Sequence, residues 1–248
     1  MHKPYIVSED IHLLLKNWAD KKGLVLPEEY FFRHLRNEFA DFMRQIFKNF
    51  ELVPALELIE GLKKLVHQNG SIPVSLDKSY YISIYNLEIA RFVNTNNNDI
   101  GLRKRPGANS AIIQFKKLQR ELKNKEIVII DDVIFSGNLL ERISSICARM
   151  GIKISAIYGG IGIEDGVKKL RSAGHSIQCV RIYKTVIDEI CERDFYPGIP
   201  LSGRSVLTRK NINGDNFGAP YILPFGNPGK WASIPIKWQK PLSKFCIK

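Results

Sequence analysis

The 248 residues carry 37 Lys+Arg against 25 Asp+Glu, a formal charge of +12, with 44% hydrophobic and 25% charged residues. These fractions are ordinary for globular proteins and exclude a disordered or collagen-like chain, and the length allows a substantial core in one large or two modest domains. No apolar run approaches the roughly 20 residues that span a bilayer, and the opening MHKPYIVSEDIH lacks the apolar core of a secretory signal, so a soluble cytoplasmic protein without a membrane segment is expected.

Residues 1–70 read as an N-terminal helical region. Ser8 suits the cap of a helix whose Ile11, Leu14, Leu15 and Trp18 share a face. Pro27 suits the first turn of a longer helix, where Phe32, Leu35, Phe39, Phe42, Ile46 and Phe50 form one apolar stripe. Core packing is the expected role of that stripe; a partner-binding helix is the alternative. Pro54 opens a third helix, with Leu58, Ile59, Leu62, Leu65 and Val66 inward, stopped by Asn69-Gly70.

Residues 71–190 change period. Tyr80–Tyr85 and Leu87–Val93 read as strands, followed by a polar loop over Asn94–Asp99 and a helix carrying Ala111, Ile112, Phe115, Leu118 and Leu122. Then come the strand Ile127–Ile130, a helix from Leu139 to Met150, the strand Lys153–Tyr158, a short helix around Val167–Leu170 and the strand Ile177–Tyr183. Apolar strands alternating with helices predict an α/β fold, a parallel sheet flanked by helices. Residues 191–248 lose this regularity and read as a basic, aromatic-rich C-terminal cap.

The segment that carries chemistry is Ile127-Val-Ile-Ile-Asp-Asp-Val-Ile-Phe-Ser-Gly-Asn-Leu139. An apolar strand delivers two carboxylates, Asp131 and Asp132, to the sheet edge where open α/β folds bind ligands. The Ser-Gly turn that follows enters a helix and points N–H groups outward, a ready site for phosphate. Carboxylates repel phosphate but accept hydrogen bonds from sugar hydroxyls. The combination describes a sugar-phosphate site.

This segment resembles the PRPP-binding motif of the type I phosphoribosyltransferases, and the chain is read as a divergent member of that superfamily. The likeness continues through Gly151–Tyr183, which is similar to the strand–helix–strand of orotate-type members. The resemblance implies that Asp131 and Asp132 bind the ribose hydroxyls. It also implies that the 5′-phosphate sits in the turn Phe135, Ser136, Gly137, Asn138 and Leu139. The diphosphate would carry Mg²⁺, with no metal bound directly by the protein, and a mobile basic loop, Arg103, Lys104 and Arg105, would close over it. Three departures stand out. Leu139 occupies a position where a Thr or Ser usually touches the phosphate, and Phe135 replaces the Asp base of purine-salvage members. No small-residue diphosphate loop is recognisable, Tyr85–Arg91 standing in its place. Divergent members of the superfamily also serve as effectors in prokaryotic defence and toxin-type systems, including retrons.

Charge is concentrated in two blocks. Residues 102–125 hold eight Lys/Arg against Glu121, a net of +7, and residues 203–248 hold eight against Asp215, again +7. Three cations before Pro106-Gly107 can stabilise a diphosphate leaving group. Asp194-Phe-Tyr-Pro-Gly198 bears a short similarity to the base-stacking segment of purine phosphoribosyltransferases, which makes Asp194, Phe195, Tyr196 and Arg204 the candidate base-binding residues. Cations interleaved with Phe217, Tyr221, Phe225, Trp231 and Trp238 also suit RNA or single-stranded DNA, and the irregular stretch Asn211–Gly229 is of a length often functional. The two readings are an enzyme acting at C1 of ribose in PRPP or a nucleotide, by transfer or hydrolysis, and a non-catalytic nucleotide-sensing or nucleic-acid-binding module; a homo-oligomer is compatible with either. Cys147, Cys179, Cys191 and Cys246 form no close pair, and the five histidines make no metal-ligand spacing.

Overall fold

Tyr5–Ser8 form a wholly buried strand, β1, at the head of the chain, where helices alone were expected. After it come α1 (Ile11–Lys22), α2 (Glu29–Ile46) and β2 (Phe50–Val53). Phe50 does not end the stripe of α2; it opens β2, which pairs in parallel with β1 from Tyr5↔Phe50 to Ser8↔Val53. The stripe is core, with Phe32, Phe39 and Met43 buried, whereas Trp18 of α1 is 42% exposed. The computed structural model describes residues 3–94, 98–210 and 216–248. It divides the chain into two units, Met1–Pro54 with Val186–Lys248, and Ala55–Thr185. The expected boundaries at 70 and 190 move accordingly, because the two ends of the chain fold together.

The second unit opens with α3 (Ala55–His67), β3 (Ile72–Ser75), β4 (Tyr85–Asn86), β5 (Ile89–Val93), β6 (Asp99–Lys104) and α4 (Ala111–Leu122). It continues with β7 (Glu126–Ile134), α5 (Asn138–Arg149), β8 (Lys153–Ile163), α6 (Glu164–Ser172) and β9 (Ile177–Tyr183). Five strands make a sheet in the order β4-β3-β7-β8-β9, every neighbouring pair parallel. The unit is therefore α/β, with a parallel sheet flanked by helices. Phe115, Leu118 and Leu122 of α4 and Leu140, Ile143 and Cys147 of α5 share one core with Val74, Ile127, Ile129 and Ile157. At roughly 25 cal/mol per Å² of buried apolar surface, that shared core is the main force holding α4 and α5 to the sheet. On β8 and β9 packs α3, anchored by Arg181, whose Nη2 donates to Glu57 Oε2 at 2.6 Å.

Two predicted elements differ, and a third falls partly outside the described residues. Of the expected strand Tyr80–Tyr85 only Tyr85 is in a strand, the first residue of β4; the sheet takes Ile72–Ser75 beside it. Residues 102–104 of the basic segment lie in β6, which pairs antiparallel with β5. The polar loop expected at Asn94–Asp99 has residues 95–97 outside the described residues.

The first unit resumes with β10 (Asp188–Cys191), a 3-10 turn (Glu192–Phe195), β11 (Arg204–Lys210), β12 (Asn216–Ala219), α7 (Pro228–Trp231) and α8 (Ile236–Ile247). Strand β10 pairs in parallel with β1, giving the order β10-β1-β2. Of the irregular stretch expected over Asn211–Gly229, residues 211–215 lie outside the described residues, and 216–219 form β12. Ser8 does not cap α1. Its hydroxyl donates to Glu189, and the first N–H groups of α1 are satisfied by Glu192, whose Oε2 accepts from the N–H of Asp10 at 3.2 Å and of Ile11 at 3.3 Å. Among the described residues, no helix is long and apolar enough to cross a membrane.

Candidate sugar-phosphate site

Strand β7 runs through the carboxylates rather than ending before them: Asp131 is paired with Gly159, and the register continues to Ile134. Asp131 is 7% exposed and Asp132 half-buried. Their oxygens turn back on the backbone: Asp131 Oδ1 accepts from the N–H of Asp132 at 3.1 Å, and Asp132 Oδ1 from that of Val133 at 2.8 Å. Burial holds the Asp131 carboxyl well above the usual carboxylate range. Asp132 and then Asp77 push it the same way, and Arg105 pulls it back.

The turn after β7 follows from its glycines. Gly137 takes φ +74°, a left-handed conformation that side chains disfavour, and α5 starts at the next residue. A Cβ on Gly166, in α6, would sit 2.2 Å from the Phe135 carbonyl oxygen, so only glycine lets the turn rest on α6. Ser136 is exposed, its Oγ 3.5 Å from the Asn138 nitrogen. Leu139 packs its side chain on the core and offers the turn only its backbone. The opening N–H groups of α5 have no intrahelical acceptor and carry the positive end of the helix dipole. One residue not read from the sequence belongs here: Lys169 of α6 donates to Asn138 Oδ1 at 2.6 Å and pairs with Glu141 at 2.8 Å, placing an ammonium beside the turn. Its i+3 position after Gly166 is the only sequence signal for it.

A second missed residue, Asp77, lies at the exit of β3. The Leu76 N–H donates to the Ile130 carbonyl at 2.8 Å, extending the β3–β7 register and bringing Asp77 alongside the Asp131–Asp132 edge. Asp77 is buried; its Oδ1 accepts from the Ser79 N–H at 2.7 Å, and its Oδ2 lies 3.8 Å from Arg105 Nη2. Arg105 thus reaches the carboxylates. The guanidinium of Arg103 instead lies 4.2 Å over the Phe92 ring, and Lys104 sits in β6 opposite Ile89.

The candidate base-binding residues belong to the first unit and are occupied there. Phe195 is fully buried, its ring centroid 5.3 Å from that of Phe39, and Tyr196 is buried against the same ring, 5.9 Å away. Neither presents a face on which a base could stack. Asp194 Oδ1 accepts from the Gly203 N–H at 2.6 Å. Arg204 stacks over Tyr221 at 5.4 Å and Trp231 at 5.8 Å. These contacts account for the motif as packing.

No protein-family model matches the chain, and no curated protein matches it. Among solved structures, it is similar to adenine phosphoribosyltransferase from Thermoanaerobacter pseudethanolicus, with 14% identity over 52% of this chain and 80% of that one, at a TM-score of 0.37. The adenine phosphoribosyltransferase of Rhodothermus marinus gives 13% identity over 51% of this chain and 77% of that one, at 0.35. Orotate phosphoribosyltransferase of Mycobacterium tuberculosis, in complex with inorganic phosphate, gives 11% over 52% and 69%, at 0.32.

Proposed function

We propose that the second unit binds a 5-phosphoribosyl group and acts at C1 of its ribose, in PRPP or a nucleotide. One observation carries this reading: a single strand–turn–helix sets Asp131 and Asp132 directly before the N-terminus of α5. Phosphate and carboxylate repel each other, so a ligand filling both places must be anionic at one end and rich in hydroxyls at the other. Ribose 5-phosphate is such a molecule, with its phosphate on the N–H groups of residues 137–139 beside Lys169 and its 2′- and 3′-hydroxyls on the carboxylates.

At C1 the bond to the leaving group breaks with its electron pair departing on that group. The incoming nitrogen or water oxygen forms the new bond and gives up a proton. Positive charge develops on the sugar ring in between, and Asp131 and Asp132 stabilise it through the hydroxyls they hold. Mg²⁺ is expected to arrive on a substrate diphosphate. The described residues include no group of three or more His, Cys, Asp or Glu able to hold a metal ion.

Thermal melting with ribose 5-phosphate, PRPP with Mg²⁺ and nucleoside 5′-monophosphates tests the proposal. A ligand at 100 times its Kd stabilises by about 2.7 kcal/mol, and Asp131→Asn with Asp132→Asn is expected to abolish that gain. No shift from any of these ligands contradicts the reading.

A further inference from the structure

The eight Lys/Arg of residues 102–125 fall into two groups. Arg103, Lys104 and Arg105 belong to β6 and its exit, whereas Lys116, Lys117, Arg120 and Lys123 belong to α4 and the residue that caps it, with Lys125 just beyond. Helix α4 spends its apolar stripe, Phe115, Leu118 and Leu122, on the core. At about 3.6 residues per turn its four cations share the opposite face, and all of them are exposed, as is Lys125. Little acid offsets them. Glu121 pairs with Arg120 at 3.1 Å, and Glu126 pairs with Lys153. Among the described residues, the ammonium groups of Lys116, Lys117, Lys123 and Lys125 have no ion-pair or hydrogen-bond partner. Like charges one turn apart on a helix repel, so an anion laid along this face removes a penalty that the free protein carries.

We propose that the outer face of α4 docks on the phosphate backbone of a nucleic-acid duplex, without reading its sequence. From Lys116 to Lys123 the helix rises about 10 Å. Phosphates recur about every 3.4 Å of axis along one strand, so the row faces about three of them. An acidic protein is the poorer match, because Lys is depleted in protein–protein interfaces and every cation here except Arg120 is Lys. A lipid surface takes up an apolar face; the outer face of α4 offers Ile112 and Ile113, 67% and 54% exposed, in its first turn and cations beyond. Single strands are held largely by stacking on aromatic rings, and the one aromatic residue of α4, Phe115, is buried. The face shares no residue with the 131–139 site, so the inference goes beyond the 5-phosphoribosyl reading and stands or falls without it.

Fluorescence anisotropy of the full chain with labelled duplexes of about 20 base pairs, one of DNA and one of RNA, tests it. At least one duplex is expected to bind at low salt, with the logarithm of the affinity falling linearly in the logarithm of salt concentration. Lys116→Gln with Lys123→Gln should weaken that binding at least tenfold at about 50 mM salt and flatten the slope by about 2. Lys16→Gln with Lys22→Gln removes the same charge from exposed places on α1, and should leave affinity within twofold and the slope unchanged. Lys116→Arg with Lys123→Arg keeps the charges and should bind as the unmodified chain does. Failure of both duplexes to bind overturns the inference. So does an equal loss in the α1 and α4 glutamine variants, which would make the attraction a matter of net charge alone. Tighter binding of a single strand of the same sequence, of polyglutamate or of phosphatidylserine vesicles than of either duplex overturns it in favour of that partner.

Discussion

The carbonyl oxygen of Phe135 lies 2.2 Å from the point a Cβ on Gly166 would occupy, so the turn after Asp132 rests directly on α6. An added methyl must push the turn away. Gly166→Ala is expected to cost about 1–3 kcal/mol of stability through overpacking. Ribose 5-phosphate affinity should fall at least tenfold in the same variant, measured by denaturant unfolding and calorimetry.

Asp131 carries a pH signature whose sign follows from its burial. Its folded-state pKa is raised, so the native state holds the proton more tightly than the unfolded chain. That contribution is fully present below the ordinary carboxylate range and is lost as pH rises through the raised value. Asp131→Asn removes the penalty, and its melting temperature near pH 8 should exceed that of the unmodified chain by about 2–4 °C. The gap should close toward pH 4 while ligand binding is lost. A melting-temperature series across that range, read as the difference between the two proteins, checks both.

The buried charges of the first unit behave oppositely to a surface pair. Asp10 is fully buried, with its Oδ2 2.9 Å from Arg193 Nε and its Oδ1 accepting the Arg193 N–H. Burial raises its pKa against the pull of Arg193. Arg193→Met leaves that carboxylate without its guanidinium and should cost about 3–5 kcal/mol at neutral pH. The cost should shrink in acid, where Asp10 takes up a proton. Unfolding free energies at pH 5 and 7.5 distinguish this from a simple packing loss, which would not depend on pH.

Phe195 offers a control. Its contacts with Phe39 make it core, so Phe195→Leu should lower stability by about 1–2 kcal/mol and leave nucleotide affinity within twofold. A tenfold loss of affinity in a folded variant would restore it to a base-binding role.

The β7–turn–α5 segment was legible because all its determinants are contiguous: an apolar run, two carboxylates and a Ser-Gly turn specify strand, edge and helix start without long-range help. The neighbours of that segment were not. Ile72-Pro-Val-Ser75 is short and contains proline, and it becomes a strand only because β7 is there to pair with it. Asp77 and Arg105 come to act on the Asp131 charge through that pairing and the β5–β6 ribbon; β5 was legible as a strand, but its pairing with β6 has no local signal. The same holds for β1, β2 and β10, four residues each, whose parallel pairing joins the two ends of the chain. An Asp-Phe-Tyr run looks identical in sequence whether its rings stack on a base or on Phe39; only the packing distinguishes them.

The central claim is that Asp131, Asp132 and the 135–139 turn hold one ribose 5-phosphate. A crystal structure of the protein soaked with that ligand tests it most directly. The phosphate is expected within hydrogen-bond distance of the N–H groups at the start of α5, with the 2′- and 3′-hydroxyls on Asp131 and Asp132. Ligand bound elsewhere, or bound here in the reverse orientation with the phosphate on the β3 side, would contradict it.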